Sequence, residues 1–422
     1  MYDMFKSVEF SIFKFLASIM VLLSTVTLLK IGDYSFFIIF QIIFCLCCVL
    51  FIKKIIIIKD KYLFLCYMGF IPSALIGYIW NHPQSYKKAA IFMTLLLVLT
   101  VLSATYCCYI SKTKIEILRH LVNVFGVSVL IQSVWIIIQF LIYSITKTDI
   151  NNIVFVKLFH TTDDASFVRD WVWHPAGLCN HPAVVAPAFV IGICLYKNKL
   201  IRILIISAAI LCGSSTSIIG CLIALFIEKM YYLRDYKYKK ELKSNNLILA
   251  IIIVPLITYL YLKTDLFMGV FEHFQYLIER IILGVNSDSS TKAHIQYYYD
   301  YLYIMKKSNF FQVLFGCGEG CSGMWSSLMY NRYVGLGNWS IECDIVNILV
   351  SRGIIGFVTY YCFLLSIVVR GRKISIYYPI AIVAIIIQGF FYNVQWNYIF
   401  LIEIIMSYMI SINEDFFEIR GN

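Results

Sequence analysis

The chain has 422 residues, of which 61% are hydrophobic and only 14% charged, with a formal charge of +11 and a mean hydropathy of +0.80. An average soluble protein carries about 25% charged residues, so a soluble enzyme fold, a disordered chain and a disulfide-framework secreted domain are excluded. Apolar runs long enough to cross a bilayer recur along the whole length. That excludes an outer-membrane barrel and predicts an all-α polytopic membrane protein.

In chain order, twelve spans are predicted, at roughly 9–29, 34–52, 62–79, 89–110, 121–145, 178–196, 200–213, 216–232, 247–262, 341–369, 374–392 and 398–412. The pair 200–213 and 216–232 also reads as one interrupted element. No small-residue cleavage site follows the first apolar stretch, so it reads as a retained span. The chain divides into an N-terminal bundle of about five helices (1–145) and a first long loop (146–177). Helices six to nine follow (178–262), then a large helical loop (263–340), then the last three helices (341–422).

Basic residues fix the sides. Lys53, Lys54, Lys59 and Lys61, then Lys112, Lys114 and Arg119, then Lys197, Lys199 and Arg202 fall on one set of connections. So do the run from Lys229 to Lys243 and the group Arg370, Arg372 and Lys373. Together with the ends of the chain, this set holds most of the 35 Lys and Arg residues. Short connections rich in Lys and Arg stay in the cytoplasm, which puts both termini there and both long loops outside. The positive charge is thus accounted for by topology, and no nucleic-acid partner is expected.

The first long loop carries Asp163, Asp164, Arg169, Asp170, Trp171, Trp173, His174, Pro175, His181 and Pro182. Arg beside a membrane suits a diphosphate, because its fork of donors matches phosphate oxygens. The alternative is an interfacial belt with Arg169 paired to an Asp. Gly213-Ser214-Ser215-Thr216-Ser217 lies between two spans and opens a helix, where free amides and hydroxyls suit an anion; a capped hairpin is the plainer account.

The large loop is expected to hold two amphipathic helices lying on the outer leaflet. One runs from the Thr264-Asp265 cap to Leu283 and carries Arg280. The other runs from Ser289 to about Lys307, with Lys292, His294, Tyr297, Tyr298 and Tyr301 at helical spacing. Leu314-Phe315-Gly316-Cys317-Gly318-Glu319-Gly320 lacks the Lys of a phosphate-binding loop and reads as a tight turn. Cys317, Cys321 and Cys343 fall on the outer side, where a disulfide is possible.

The tenth span opens with Glu342-Cys343-Asp344. Asp344, Asn347 and Ser351 share one helical face, while Glu342 points elsewhere and can cap the helix. Arg352 lies about 12 Å further along. A charge at that depth is expected to face a cavity, or to form an ion pair with Asp344 inside the bundle.

Six features in this order resemble the O-antigen and capsular polysaccharide polymerases of bacterial envelopes. They are the basic His-Pro segment from Arg169 to Pro182, the Ser-rich break from Gly213 to Ser217, the very large outer loop, Phe315-Gly316-x-Gly318-x-Gly320, Glu342-x-Asp344, and Gly353-Ile-Ile-Gly356. The resemblance covers roughly residues 150–370 and implies a GT-C-like glycosyltransferase of the inner membrane. Such enzymes join undecaprenyl-diphosphate-linked oligosaccharides on the outer face, need no cofactor, and work among membrane lipid beside a chain-length regulator protein. The related O-antigen ligases, which move glycan to lipid A-core, have a similar layout. They usually carry a His where this chain has Glu342 and Asp344. A polysaccharide flippase is the reading from another class.

For such a reaction the candidate catalytic residues are Arg169, Arg280, Glu342, Asp344 and His294. A carboxylate or His serves as base, and the arginines meet the diphosphate. Arg169, His181, Ser214, Ser215, Arg280, Lys292 and Arg352 are the candidate ligands of the diphosphate and glycan. No metal site is expected.

Overall fold

The computed structural model describes residues 2–32, 34–51, 71–73, 75, 84–113, 115–161, 165–169, 172–234, 289–320, 322, 341–372, 374–375 and 377–412, which are mostly helical. The predicted span 247–262, nearly all of 62–79, and the predicted helix carrying Arg280 lie outside them. The helices are α1 (Tyr2–Leu23), α2 (Phe36–Phe51), α3 (Gln84–Thr113), α4 (Ile115–Thr146), α5 (Pro182–Leu195), α6 (Lys199–Leu211) and α7 (Ser215–Arg234). They continue with α8 (Ser289–Lys307), α9 (Phe310–Phe315), α10 (Asp344–Gly371), α11 (Tyr377–Gln388) and α12 (Tyr398–Ser411). Two antiparallel hairpins depart from the all-helical expectation: β1 (Lys30–Ile31) with β2 (Tyr34–Ser35), and β3 (Phe167–Arg169) with β4 (Val172–His174). Strands this short leave no readable alternation in a sequence.

Two of these helices, α4 and α10, are long and apolar enough to cross a membrane. Their surfaces are inverted relative to a soluble protein. On α4, Val127, Ile131, Val134, Ile138, Leu141 and Ile145 recur every three or four residues and are 38–69% exposed. The same helix buries Ser128, Gln132, Ser133 and Gln139. A water-facing helix would do the reverse. On α10, Ile354, Val358, Leu365 and Val369 form a similar exposed apolar stripe.

The chain forms two compact units, residues 1–128 with 289–422 and residues 129–288. In the first, α2 packs on α1 and α3, α3 meets α12, and α10 packs on α8, α9, α11 and α12. Phe37 at the start of α2 stacks on Tyr398 at the start of α12, with ring centroids 4.6 Å apart. In the second, α5 is buried along nearly its whole length between α6 and α7. Its residues are mostly small or β-branched, which lets neighbouring helices approach closely. Arg202 on α6 donates two hydrogen bonds to the Glu228 carboxylate on α7, at 2.9 and 2.8 Å.

The stretch 200–234 is two helices, α6 and α7, as predicted over 200–213 and 216–232, parted at Gly213, whose φ is +69°. Two other boundaries differ from expectation. The eleventh predicted span stops at Gln388 rather than at 392. Asp344 N donates to the Gly389 carbonyl at 2.9 Å, which draws the following residues into a loop. The tenth is not continuous, because α10 is kinked at Gly353 (φ 65°, ψ −169°).

A candidate polar site at the break in helix α10

The break at Gly353 interrupts an apolar helix, and its unused carbonyls must find donors. The oxygens of Val350 and Ser351, which an unbroken helix would offer to Ile354 and Ile355, accept instead from Cys317 N at 2.8 Å and Gly318 N at 3.0 Å. Those donors belong to the glycine turn that follows α9. The short helix α9 is fixed by a capping box. Asn309 accepts from Gln312 N at 2.9 Å, and the Gln312 side chain accepts from Asn309 N at 3.0 Å. Gly316, Gly318 and Gly320 all have positive φ.

The two backbones touch at Gly316 and Gly353. A Cβ on Gly316 would collide with the Ser351 carbonyl, and one on Gly353 with that of Leu314. The tight turn expected from the sequence is therefore present, and it also fills the gap in α10.

This crossing carries charge. Glu319, between two of the glycines, accepts from Arg352 Nε, and both side chains are almost wholly buried. Ser73 Oγ also donates to Glu319 Oε1, at 3.2 Å. The Arg352 guanidinium lies 5.4 Å from the Tyr360 ring and 5.5 Å from the Trp396 ring, within cation–π range. Arg352 thus pairs with Glu319, whereas the sequence offered Asp344 as its partner.

Asp344 is the first residue of α10, where the helix dipole favours a carboxylate. Its Oδ1 accepts from Gln395 N at 3.1 Å. A Cβ on Gly389 would come within 2.9 Å of its Oδ2. Loop 389–397, between α11 and α12, therefore holds Asp344 through Gln395 and covers Arg352 with the next residue, Trp396. The same loop receives Tyr298 OH of α8, which donates to the Phe390 carbonyl at 3.0 Å. Asn393 Nδ2 donates to the Ile341 carbonyl at 3.3 Å. Asn347 accepts from Ser322 Oγ, and Ile341 N donates to that same oxygen at 3.0 Å.

Asp344, Asn347 and Ser351 share a buried face of α10, as their spacing predicts. Glu342 precedes the helix and is exposed; the N-cap position belongs to Cys343. Cys317 and Cys343 lie in one apolar cluster with Ile304, Val346 and Val350, with no disulfide between them. Burial pushes the Cys317 thiol up to about 12. Burial also raises the Tyr298 phenol.

The other predicted site residues are placed as follows. His294 and Lys292 lie on α8, which runs from Ser289 to Lys307 as expected; their side chains lie outside the described residues, as does Arg280 entirely. In the second unit, Arg169 ends strand β3 beside the hairpin turn, and its side chain too lies outside the described residues. His181 is the N-cap of α5. Its Nδ1 accepts from Ala183 N at 3.0 Å, and its ring meets Phe167 edge-on at 4.2 Å. Ser214 is buried ahead of α7, and Ser215 is that helix's first residue.

Sequence reasoning did not single out Glu319, Gln395 or Trp396. Glu319 had a signal, since a lone charge within a glycine-rich turn is unusual beside an apolar bundle. Gln395 and Trp396 had a weaker one, a short polar interruption between two apolar runs.

Chemically, the cluster in the first unit holds two carboxylates for one guanidinium. It suits a hydroxyl or a proton better than a phosphate. Among the described residues no three His, Cys, Asp or Glu side chains gather as metal ligands. No family model matches the chain, and no curated protein matches it.

Proposed function

We propose that this protein polymerises undecaprenyl-diphosphate-linked oligosaccharides on the outer face of a bacterial inner membrane. It has about twelve spans in this reading, and both termini lie in the cytoplasm. The observation that carries it is the meeting of Phe315-Gly316-x-Gly318-x-Gly320 with Ser351-Arg352-Gly353. Two of the motifs that give the resemblance are distant in sequence, yet they meet around a buried ion pair, Arg352 with Glu319. Ionisable groups at such a place are costly and are kept for function.

The exposed apolar stripes of α4 and α10 face lipid in this reading. Helices α11 and α12 are about 18 and 21 Å long, short of the roughly 30 Å hydrocarbon core. With their far ends at the cytoplasmic surface, loop 389–397 lies below the outer surface. Irregular backbone at that depth is tolerated where it is buried in protein or lines a hydrated cavity. Asp344 and the loop that holds it then lie below the outer surface, buried at the start of α10.

The reaction has two requirements. An acceptor sugar hydroxyl attacks the anomeric carbon of the donor glycan; its proton passes to a base, the new C–O bond forms, and the bond to the diphosphate breaks. Asp344 is the base in this reading, ahead of Glu342 and His294, because its carboxylate is fixed by Gln395. Undecaprenyl diphosphate leaves as that bond breaks, and its charge needs donors; the proposed diphosphate ligands are Arg169, Arg280 and the helix start at Ser214 and Ser215 in the second unit, and Lys292 in the first. Arg352 holds Glu319 rather than gripping the diphosphate.

Deletion of the gene, followed by a gel of surface polysaccharide, tests this. A polymerase leaves a single repeat on the lipid. Glycan retained in full length on the carrier would instead mark a ligase, and repeats trapped inside the cell a flippase.

A further inference from the structure

The buried face of α4 carries Gln132, Trp135, Gln139 and Tyr143, spaced so that they align along one side of the helix. Just beyond its end, Asp149 turns back onto that face. Its carboxylate is buried and accepts four hydrogen bonds. Gln139 Nε2 reaches Oδ1 at 2.9 Å and Oδ2 at 3.2 Å, Asn151 N reaches Oδ1 at 2.9 Å, and Trp173 Nε1 reaches Oδ2 at 2.8 Å. Trp173 also lies flat on Tyr143, with centroids 3.9 Å apart and planes 9° from parallel.

The chain just after the hairpin is tied to the same helix. Gly177 N donates to Gln139 Oε1 at 3.0 Å, and Leu178 N to Gln132 Oε1 at 3.0 Å. Asn151 donates from Nδ2 to the Gly177 carbonyl at 2.7 Å and accepts from Trp135 Nε1 at 2.9 Å.

Trp173 pairs across the β3–β4 hairpin with Val168, and the last pair before the turn is Arg169 with Val172. A two-stranded hairpin of three-residue strands has little stability of its own. Its direction is set by what grips Trp173. A buried carboxylate is expensive unless fully hydrogen-bonded; here the donors converge on one side chain, so hydrogen-bond geometry sets the direction of the hairpin.

We infer that Asp149 is a positioning residue. It fixes the β3–β4 hairpin, whose last pair before the turn includes Arg169, the residue assigned above to the diphosphate of a polyprenyl lipid. This rests on the reading of Arg169 given above.

The test uses the full-length protein in nanodiscs of neutral lipid, with undecaprenyl diphosphate as the probe. Arg169→Ala is expected to weaken binding about tenfold or more, the value of one lost charge-assisted contact. Trp173→Phe, which keeps the stack on Tyr143 but removes the donor, and Asp149→Asn are each expected to weaken it several-fold. The double variant Arg169→Ala/Trp173→Phe should bind no more weakly than Arg169→Ala alone, because Trp173 acts through the arginine. Hydrogen exchange in Trp173→Phe should quicken across residues 165–178 and not in α5.

Additive losses in the double variant, or unchanged binding in both Trp173→Phe and Asp149→Asn, would overturn the inference. A wild type that fails to bind the probe overturns the reading of Arg169 instead. The exchange experiment then decides by itself whether Asp149 holds the hairpin.

Discussion

Arg352 and Glu319, 33 residues apart, form a buried ion pair across the gap left where helix α10 breaks. Removing one partner strands the other as an uncompensated charge, at a cost of roughly 3–5 kcal/mol. Arg352→Ala or Glu319→Gln alone should lower the thermal stability of the detergent-solubilised protein sharply. The double change Arg352→Gln/Glu319→Gln should recover part of the loss. Single variants as stable as the wild type would show that the pair holds nothing together.

The glycines at the crossing have a different job. Gly316 and Gly353 combine positive φ with backbone too close to admit a Cβ. Gly353→Ala and Gly316→Ala should each reduce the yield of monodisperse protein, because the clash is with main-chain carbonyls that cannot swing aside. Size-exclusion profiles of membrane extracts would register this; two unchanged profiles would mean the turn and the helix can part.

Asp344 separates folding from chemistry. Asp344→Asn keeps an oxygen for Gln395 N and so should fold, but it removes the base. Loss of a general base slows a reaction by about 10²–10⁴-fold, so the variant should leave single repeats or very short chains. Glu342→Gln, at an exposed position ahead of the helix, should leave chain length unchanged. The pattern of glycan ladders on a gel distinguishes the two carboxylates.

Thiol chemistry gives a pH-dependent check. Thiolate is the reactive form, and a Cys317 thiol raised to about 12 holds on the order of one part in 10⁴ thiolate at pH 8. Alkylation of Cys317 in the folded protein should be slow at neutral pH and rise about tenfold per pH unit while the fold persists. Mass spectrometry after maleimide treatment would follow it. Rapid labelling of Cys317 at pH 7 would contradict the burial.

Much of the helical layout was legible because apolar runs and caps are local signals. The helix at Ser289–Lys307 was bounded by its Ser-Ser-Thr start, and Asp344, Asn347 and Ser351 fell on one face by spacing alone. The break at Gly353 was not legible, since Gly353-Ile-Ile-Gly356 sits inside an apolar run that continues a helix equally well. Only the turn at Gly316–Gly318, supplying donors from far along the chain, makes the break affordable. The partner of Arg352 was missed for the same reason. Asp344 is nearer in sequence, but tertiary packing delivers Glu319. Phe390 and Phe391 prolonged the apparent span past Gln388, hiding the loop that carries Gln395 and Trp396.

The arginines of the two long loops carry the leaving-group half of the proposal. Arg169→Ala and Arg280→Ala should each give single-repeat glycans while the protein remains in the membrane at normal level. Long chains from both variants would remove the diphosphate assignment while leaving Asp344 to be judged separately.

The central claim is tested most directly by giving the purified protein, reconstituted in vesicles, a single lipid-linked repeat from its own host and no other enzyme. The account predicts a ladder of longer glycans with one undecaprenyl diphosphate released per linkage formed. Unchanged single repeats in the presence of folded protein, or transfer of glycan only when lipid A-core is added, would contradict it.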